Sequence, residues 1–283
     1  YETLIDKKKQ RIIGFGRYAG IVGCYNSFLA YGAKSKKYEL KFAHFLTGKK
    51  ELELELLKVE LPKDFKIILT GSGRVSNGAK EMLKILKIKS VSKEDFINKQ
   101  FNSPVYTQLE PIDYHKRIDG GNTSKSDFYQ FSNKYTSTLF DFCKHGHMLI
   151  AGHYHAPNNP VLLTQDNLRS LESKIEVVGD ISCDIDGPIA STIRPATIND
   201  PIYGYSPISG LEDDYKKDGV LAVMAVDNLP CSLPRDSSID FGQVFIEHVL
   251  PDLMNSCVIV DRGTITLNGE LTEKFKYLSD YIL

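Results

Sequence analysis

Four short runs hold the residues whose types and spacing suit chemistry. The first is Gly71-Ser72-Gly73-Arg74-Val75-Ser76, which follows the apolar run KIILT at 66–70 and precedes Asn77-Gly78 and AKEML. Strand, glycine-rich turn and helix in that order make a phosphate cradle. Gly71 permits the tight turn, and Gly73 lets backbone approach a pyrophosphate without a Cβ. A helix starting at Asn77 offers free N–H groups and its positive dipole end. Ser76 fills the usual third small position. The pattern points to dinucleotide binding; a structural turn with no ligand is the other reading.

The second run, HGHMLIAGHYH, carries His145, His147, His153 and His155. His153 and His155 stand at i, i+2 past a strand and share a face, where open α/β sheets bind ligands. Lining a cleft or making hydrogen bonds is the plain reading of these histidines, and contact with a cofactor is the functional one. The same two histidines, with Asp180 and Asp184 of GDISCDIDG, also have the donor types for a divalent metal. A metal-dependent hydrolase is thus the alternative, although no third histidine stands at another strand end, and no metal is expected. In the third run, GDISCDIDG, the acids suit a cofactor amide or a substrate ammonium. The fourth lies about 20 residues past the turn, where dinucleotide sites carry a ribose-binding acid. Here that place falls on Ser92 and Lys93. Neither repels a 2′-phosphate, so NADP is slightly favoured and NAD remains open.

These residues need a scaffold. Short apolar runs at 66–70, 88–92, 105–109, 147–152, 175–178 and 220–226 read as strands, spaced by helical segments at 77–86 and 124–143. In the latter, Phe128, Phe131, Tyr135, Leu139 and Phe142 recur at helical spacing and read as core. Strand–helix alternation predicts an α/β fold with a doubly wound, mostly parallel sheet. Helices at 17–31 and 239–254 flank this block; Ala19, Gly20 and Gly23 in the first imply close packing, and Ser237-Ser238 marks a cap before the second. The charged run at 49–60 reads as a solvated helix. Residues 258–283 read as a strand, a turn at Asn268-Gly269 and a terminal helix.

Composition narrows the class. The chain has 283 residues, 42% apolar and 25% charged, with a net charge of −1. That is an ordinary globular balance, without the basic surplus that general nucleic-acid binding needs. No window approaches 18 consecutive apolar residues, so no membrane span is expected. Cys24, Cys143, Cys183, Cys231 and Cys257 are odd in number and never form C-x-x-C. They predict no disulfide framework and a cytoplasmic location.

Taken together, FGRYAGIVG, ILTGSGRVSNGAKEML, DISCDIDGPI, VDNLPCSLPRDSS and FGQVFIEHVLP resemble the saccharopine dehydrogenase (lysine-forming) and lysine–2-oxoglutarate reductase family. That family lies within the alanine dehydrogenase/transhydrogenase superfamily. The resemblance implies an NAD(P)-dependent dehydrogenase acting on CH–NH bonds of amino acids. It would reduce the imine of lysine and 2-oxoglutarate to saccharopine, or run the reverse, with an amino acid and a 2-oxoacid as partners. It implies a Rossmann-like cofactor domain at 31–237. A discontinuous, Rossmann-like substrate domain would be represented by residues 1–30 with the first connecting helix, and by 238–283 with the second.

By the same resemblance, Glu2 is a supporting active-site acid, while Arg11 and Phe15 meet the substrate. Gly71, Gly73, Arg74 and Val75 form the pyrophosphate turn, and Ser92 stands in the ribose position. Gly152 and His153 pass the cofactor; Ser182, Cys183 and Asp184 lie near nicotinamide and substrate. The family's lysine–histidine acid/base pair has no counterpart in this sequence. The chain opens on Tyr1, and the resemblance implies that it lacks an N-terminal part. A non-catalytic dinucleotide-binding relative is a further alternative.

Overall fold

The computed structural model describes residues 1–255 and 257–281. Two compact units divide the chain: Gly16–Leu233, and Tyr1–Phe15 with Pro234–Leu283.

The larger unit opens with α1 (Gly16–Ser35), followed by α2 (Lys49–Leu56), β1 (Lys66–Thr70), α3 (Arg74–Ile85), β2 (Lys89–Ser90), α4 (Lys93–Asn98) and β3 (Val105–Leu109). The segment that follows holds β4 (His115–Arg117), α5 (Lys125–Gln130), β5 (Tyr135–Ser137) and α6 (Leu139–Cys143). Then come β6 (Met148–Ala151), α7 (Gln165–Arg169), β7 (Val177–Asp180), β8 (Tyr203–Ser206), β9 (Leu211–Asp213) and β10 (Leu221–Met224). The main sheet has eight strands in the order β2-β3-β1-β6-β7-β10-β8-β9. Strands β2 to β10 along this order are parallel, and β8 and β9 close the edge antiparallel.

β1, β6, β7 and β10 are buried along their whole length. This is why they read as unbroken apolar runs and not as alternating ones. The α/β, mostly parallel sheet expected from the sequence is present.

Helix α1 packs in the larger unit, where the sequence reading assigned it to the substrate portion. A Cβ on Gly20 would stand 1.8 Å from the Val75 carbonyl oxygen, and one on Gly78 would stand 2.0 Å from that of Arg17. Two helices touch backbone to backbone here, and only glycine at both positions allows it. On the sheet side, a Cβ on Gly23 would lie 2.5 Å from the Ile181 side chain.

Several expectations need correction. The long helix at 124–143 is broken into α5, a 3-10 turn, β5 and α6. Phe131 leaves helical geometry at φ −134, ψ 47, and Tyr135 pairs across to Arg117 in a small hairpin. The aromatics Phe128, Tyr135 and Phe142 are nonetheless buried, whereas Phe131 is exposed. Helix α3 starts at Arg74 on an N-cap Gly73, three residues before the expected Asn77. Strand β2 is only two residues long, and the antiparallel strands β8 and β9 were not foreseen.

In the smaller unit, α8 (Pro234–Val244) begins on a proline, whose fixed φ and missing N–H suit a first helical turn. Ser237-Ser238 therefore lies inside the helix. A π-turn at Phe245–Val249 leads into α9 (Leu250–Asn255). Residues Val258–Gly263 form α10 and not a strand. The turn at Asn268-Gly269, both with positive φ, joins β11 (Thr266–Leu267) to β12 (Glu270–Leu271). The expected terminal helix is a 3-10 helix at Glu273–Tyr281, and its last two residues, 282 and 283, lie outside the described residues. Thr3 Oγ1 donates to the Gly263 carbonyl at 2.7 Å, tying the first residues to the closing segment.

Candidate functional site

The glycine turn sits at the carboxyl end of β1. Gly71 has φ +88, and a Cβ there would meet the Gly152 carbonyl at 2.6 Å and Ser76 Oγ at 2.8 Å. Only glycine fits that conformation and that space. Ser76, in the third small position, is fully buried. Its hydroxyl donates to the carbonyls of Thr70 (3.0 Å) and Gly152 (3.2 Å). The departure from glycine thus bolts the turn to both strand ends, and Gly152 is the close-packed partner that makes room for it. Gly73 differs: a Cβ there would meet nothing within 4 Å. As N-cap of the twelve-residue α3 it supplies no side-chain hydrogen bond to the helix start. A bare helix N-terminus behind an open glycine is the surface a pyrophosphate needs.

β6 delivers His153 beside this turn. His153 Nδ1 and Thr70 Oγ1 hydrogen-bond at 2.6 Å, while Nε2 is buried with no partner. Burial pushes the imidazole pKa down to about 3, with His155 and His115 adding to the shift. His115 is similar: Nδ1 donates to the Pro111 carbonyl at 2.8 Å, Nε2 is buried and unpartnered, and burial lowers its pKa to about 4.

Both imidazoles are therefore neutral in the folded protein, whereas unfolded histidine titrates near 6.5. Their stabilisation is complete above pH 6.5 and is lost as pH falls toward 4. Each contributes a slope of about 1.4 kcal/mol per pH unit in that window. Urea midpoints are expected to drop clearly from pH 7 to pH 5, and His115→Phe is expected to shallow the drop. A flat profile would contradict this.

The third element is the loop after β7, which pairs with β6 so that Ala151 lies opposite Asp180. Asp180 is fully buried. Its Oδ1 accepts from Ser182 N (3.1 Å), Ser182 Oγ (2.6 Å) and Cys183 N (3.2 Å), and its Oδ2 from Thr192 Oγ1 (2.6 Å). Cys183 and Asp186 take left-handed φ of +52 and +51, a tight path for residues other than glycine. Cys183 Sγ donates to the Ala225 carbonyl at 2.9 Å. Burial, helped by Asp180, Asp227 and Asp184, pushes the thiol up to about 12, so it is no thiolate nucleophile. Asp184 follows, presented toward a cavity shared with His155.

Ser92 is the N-cap of α4, its Oγ accepting from Asp95 N at 3.0 Å, and it lies past the outer strand β2. On the side toward β2, the strand paired with β1 is β3, with Thr70 opposite Leu109. Gly71 N donates to the Leu109 carbonyl at 2.8 Å. Because β3 lies between β2 and β1, the residue that follows the strand beside the turn is Glu110. Glu110 pairs with Lys125 at 3.3 Å, both side chains being about half exposed, so the pairing is screened and weak.

Arg74 and Val75, expected in the turn before the helix, form the first turn of α3. Glu2 and Arg11 form an ion pair at 3.7 Å with both side chains more than half exposed, and Phe15 stacks on Phe241 at 4.6 Å. These three belong to the smaller unit. Among the described residues no group of three or more His, Cys, Asp or Glu is arranged to hold a metal ion. Also among the described residues, no helix is long and apolar enough to cross a membrane.

The turn, the bare helix start and the unpartnered His153 Nε2 fit a nicotinamide dinucleotide. No family model matches the chain. Curated relatives bear out the resemblance read from the motifs. The chain is 26% identical over 331 aligned residues to the mitochondrial alpha-aminoadipic semialdehyde synthase of Mus musculus, spanning 98% of this chain and 35% of that protein. It is 26% identical over 325 residues to the alpha-aminoadipic semialdehyde synthase of Arabidopsis thaliana, spanning 98% and 30%. The chain thus spans about a third of the length of the curated relatives it matches. A solved L-alanine dehydrogenase shares the fold, with a TM-score of 0.52 and 12% identity over 99% of this chain and 68% of that one.

Proposed function

We propose that the chain carries the cofactor site of a nicotinamide-dependent dehydrogenase acting on amino acids, which joins lysine and 2-oxoglutarate through an imine and reduces it to saccharopine, or runs the reverse. One observation carries the reading. Gly73 opens on empty space at a bare helix start, between strand ends that Ser76 locks together.

In this reading Gly71, Gly73, Arg74 and Val75 hold the pyrophosphate. Gly152 and His153 form the wall beside the nicotinamide, with Ser182, Cys183 and Asp184 from the neighbouring strand end. The dinucleotide, when bound, supplies or accepts the hydride. The chain's own contribution is positional: Ser76 and Asp180 fix two loops, and the neutral His153 adds a nitrogen without adding charge. Glu2, Arg11 and Phe15 are proposed on the resemblance alone.

The acid at 110 revises the cofactor expectation. A carboxylate beside the turn accepts a hydrogen bond from a ribose 2′-hydroxyl and repels a 2′-phosphate. NAD is therefore proposed over NADP, against the lean that Ser92 suggested. Glu110→Ser is expected to raise NADPH affinity about tenfold, roughly 1.4 kcal/mol, and to weaken NADH modestly; equal affinities in both proteins would count against Glu110. The activity itself is tested by following NADH oxidation with lysine and 2-oxoglutarate, and NAD reduction with saccharopine. Turnover in either direction supports the reading. Dinucleotide binding without turnover of any amine would leave the non-catalytic relative.

A further inference from the structure

We propose that the larger unit carries a second small-molecule site, an aromatic-walled cavity that binds an alkylammonium, at the far end of α1 from the glycine turn. The proposal is independent of the dehydrogenase reading, which uses none of these residues.

The cavity measures about 150 Å³, a size that holds a benzene-like ligand of about six heavy atoms. Tyr38, Phe42 and Tyr215 wall it, and Leu29, Leu40 and Ile202 give it a buried apolar lining. Glu39 and Asp200 stand exposed at its edge. Among the described residues, no lysine, arginine or histidine lines it. Helix α1 starts at Gly16, where a Cβ would stand 3.2 Å from Arg74 Cβ beside the glycine turn. Leu29 lies about 20 Å further along that helix.

The walls are fixed by contacts of their own. Tyr38 Oη donates to the Phe28 carbonyl at 2.7 Å, and its ring lies where a Cβ on Gly32 would come within 2.7 Å. Tyr25 Oη donates to the Lys41 carbonyl at 2.7 Å, one residue before Phe42. Thr197 and Asp200 exchange backbone hydrogen bonds at 3.2 Å, which closes a turn just before Pro201 and Ile202. Lys34 Nζ donates to the carbonyls of Tyr215 and Val220 at 3.0 and 2.8 Å, and so pins the segment that carries Tyr215. Such preorganisation lowers the entropy that binding costs.

Charge selects the ligand. The Glu39 and Asp200 side chains have no hydrogen-bond or ion-pair partner among the described residues. Arg194 feels Asp200 but is held by Glu212 through two hydrogen bonds of 2.7 Å. Lys34 is the cation at the Tyr215 backbone, and Glu176, Asp218 and Asp214 offset its charge. An anion would be repelled by the two carboxylates, and a neutral ligand would gain little from them. An alkylammonium suits both parts of the cavity. Its chain packs on Leu29, Leu40 and Ile202, while its N–H groups reach the carboxylates and its charge meets aromatic faces. Tyr215 already draws one such cation, since Lys216 Nζ lies 5.8 Å from its ring centroid. Exposed carboxylates are screened by water and salt, so the aromatic walls supply much of the discrimination.

The test is an NMR titration of the full chain with n-butylammonium chloride. Ring signals of Tyr38 and Tyr215 and methyl signals of Ile202 are expected to shift saturably. The isosteric 1-butanol, which lacks the charge, is expected to bind about tenfold more weakly. Glu39→Gln combined with Asp200→Asn is expected to weaken the ammonium about tenfold and to leave the thermal midpoint unchanged, because both side chains are exposed. Phe42→Leu keeps an apolar wall but removes a π face, and is expected to weaken butylammonium more than butanol. Nα-acetyl-L-lysine methylamide separates the two sources of an alkylammonium. Binding as tight as butylammonium or tighter assigns the cavity to a protein's lysine side chain; weaker binding assigns it to a free amine. Butanol that binds as well as the ammonium, or a double variant that binds it unchanged, would overturn the ammonium assignment. No shift at these residues at high millimolar concentration would remove the site. Neither result touches the dehydrogenase reading, which stands or falls on dinucleotide binding and turnover.

Discussion

Replacing Gly73 by Asp is expected to weaken nicotinamide-dinucleotide binding by about 100-fold or more, roughly 2.7 kcal/mol, and to leave the thermal midpoint unchanged or slightly raised. The two halves of that result have separate causes. Gly73 sits at φ −83, ordinary backbone for any L-residue, and a Cβ there meets no neighbour. Asp is also among the best N-cap residues, so its carboxylate would satisfy N–H groups at the start of α3. The substitution thus suits the fold while filling the cradle with a negative charge where a pyrophosphate would lie. Gly73→Ala adds only a methyl and is expected to cost less. Binding that survives in Gly73→Asp would move the dinucleotide away from this turn.

Gly78→Val is expected to cost the larger unit about 3 kcal/mol or more, above the usual overpacking penalty of about 1–3, because its clash is with backbone. A Cβ on residue 78 falls 2.0 Å from the Arg17 carbonyl oxygen and 3.0 Å from Ile21 N. No rotamer change relieves that, so α1 and α3 must move apart. Moving them unseats core residues of α1 such as Ile21, Val22 and Tyr25 and opens voids at the crossing. A domain with about 5–15 kcal/mol of total stability has little margin for it. The same change at an open helical position would normally be mild, since glycine is itself about 1 kcal/mol worse than alanine in a helix. Urea midpoints measure the effect, and a Gly78→Val protein as stable as wild type would refute the backbone-contact account. Gly20→Val should behave alike, since its Cβ meets the Val75 carbonyl.

The local parts of this site were readable because local chemistry dictates them. A buried strand, two glycines and a helix start lie within about a dozen consecutive residues, and Gly20 and Gly23 announced the close packing of α1. The histidine pair and the acidic loop were placed at strand ends by their neighbours in sequence. What stayed hidden depends on long-range pairing. Hydrophobic period reveals which residues are buried but not which strand lies beside which, so β3 between β2 and β1 could not be foreseen, nor Glu110 at the end of the strand beside the turn. The antiparallel strands β8 and β9 are short, Tyr-Gly-Tyr-Ser and Leu-Glu-Asp. Gly204 lets the Asp213 carbonyl approach to where a Cβ would stand 2.1 Å away, a contact with no local signature. The broken helix at 124–143 kept its aromatic spacing because Phe128, Tyr135 and Phe142 enter the core from three different elements.

The most direct test of the central claim, that the turn after β1 binds a nicotinamide dinucleotide, is a calorimetric titration of NADH into the wild-type chain, with NADPH alongside. The account predicts saturable one-to-one binding in the micromolar range, with NADH tighter than NADPH. No binding of either dinucleotide at millimolar concentration would contradict it.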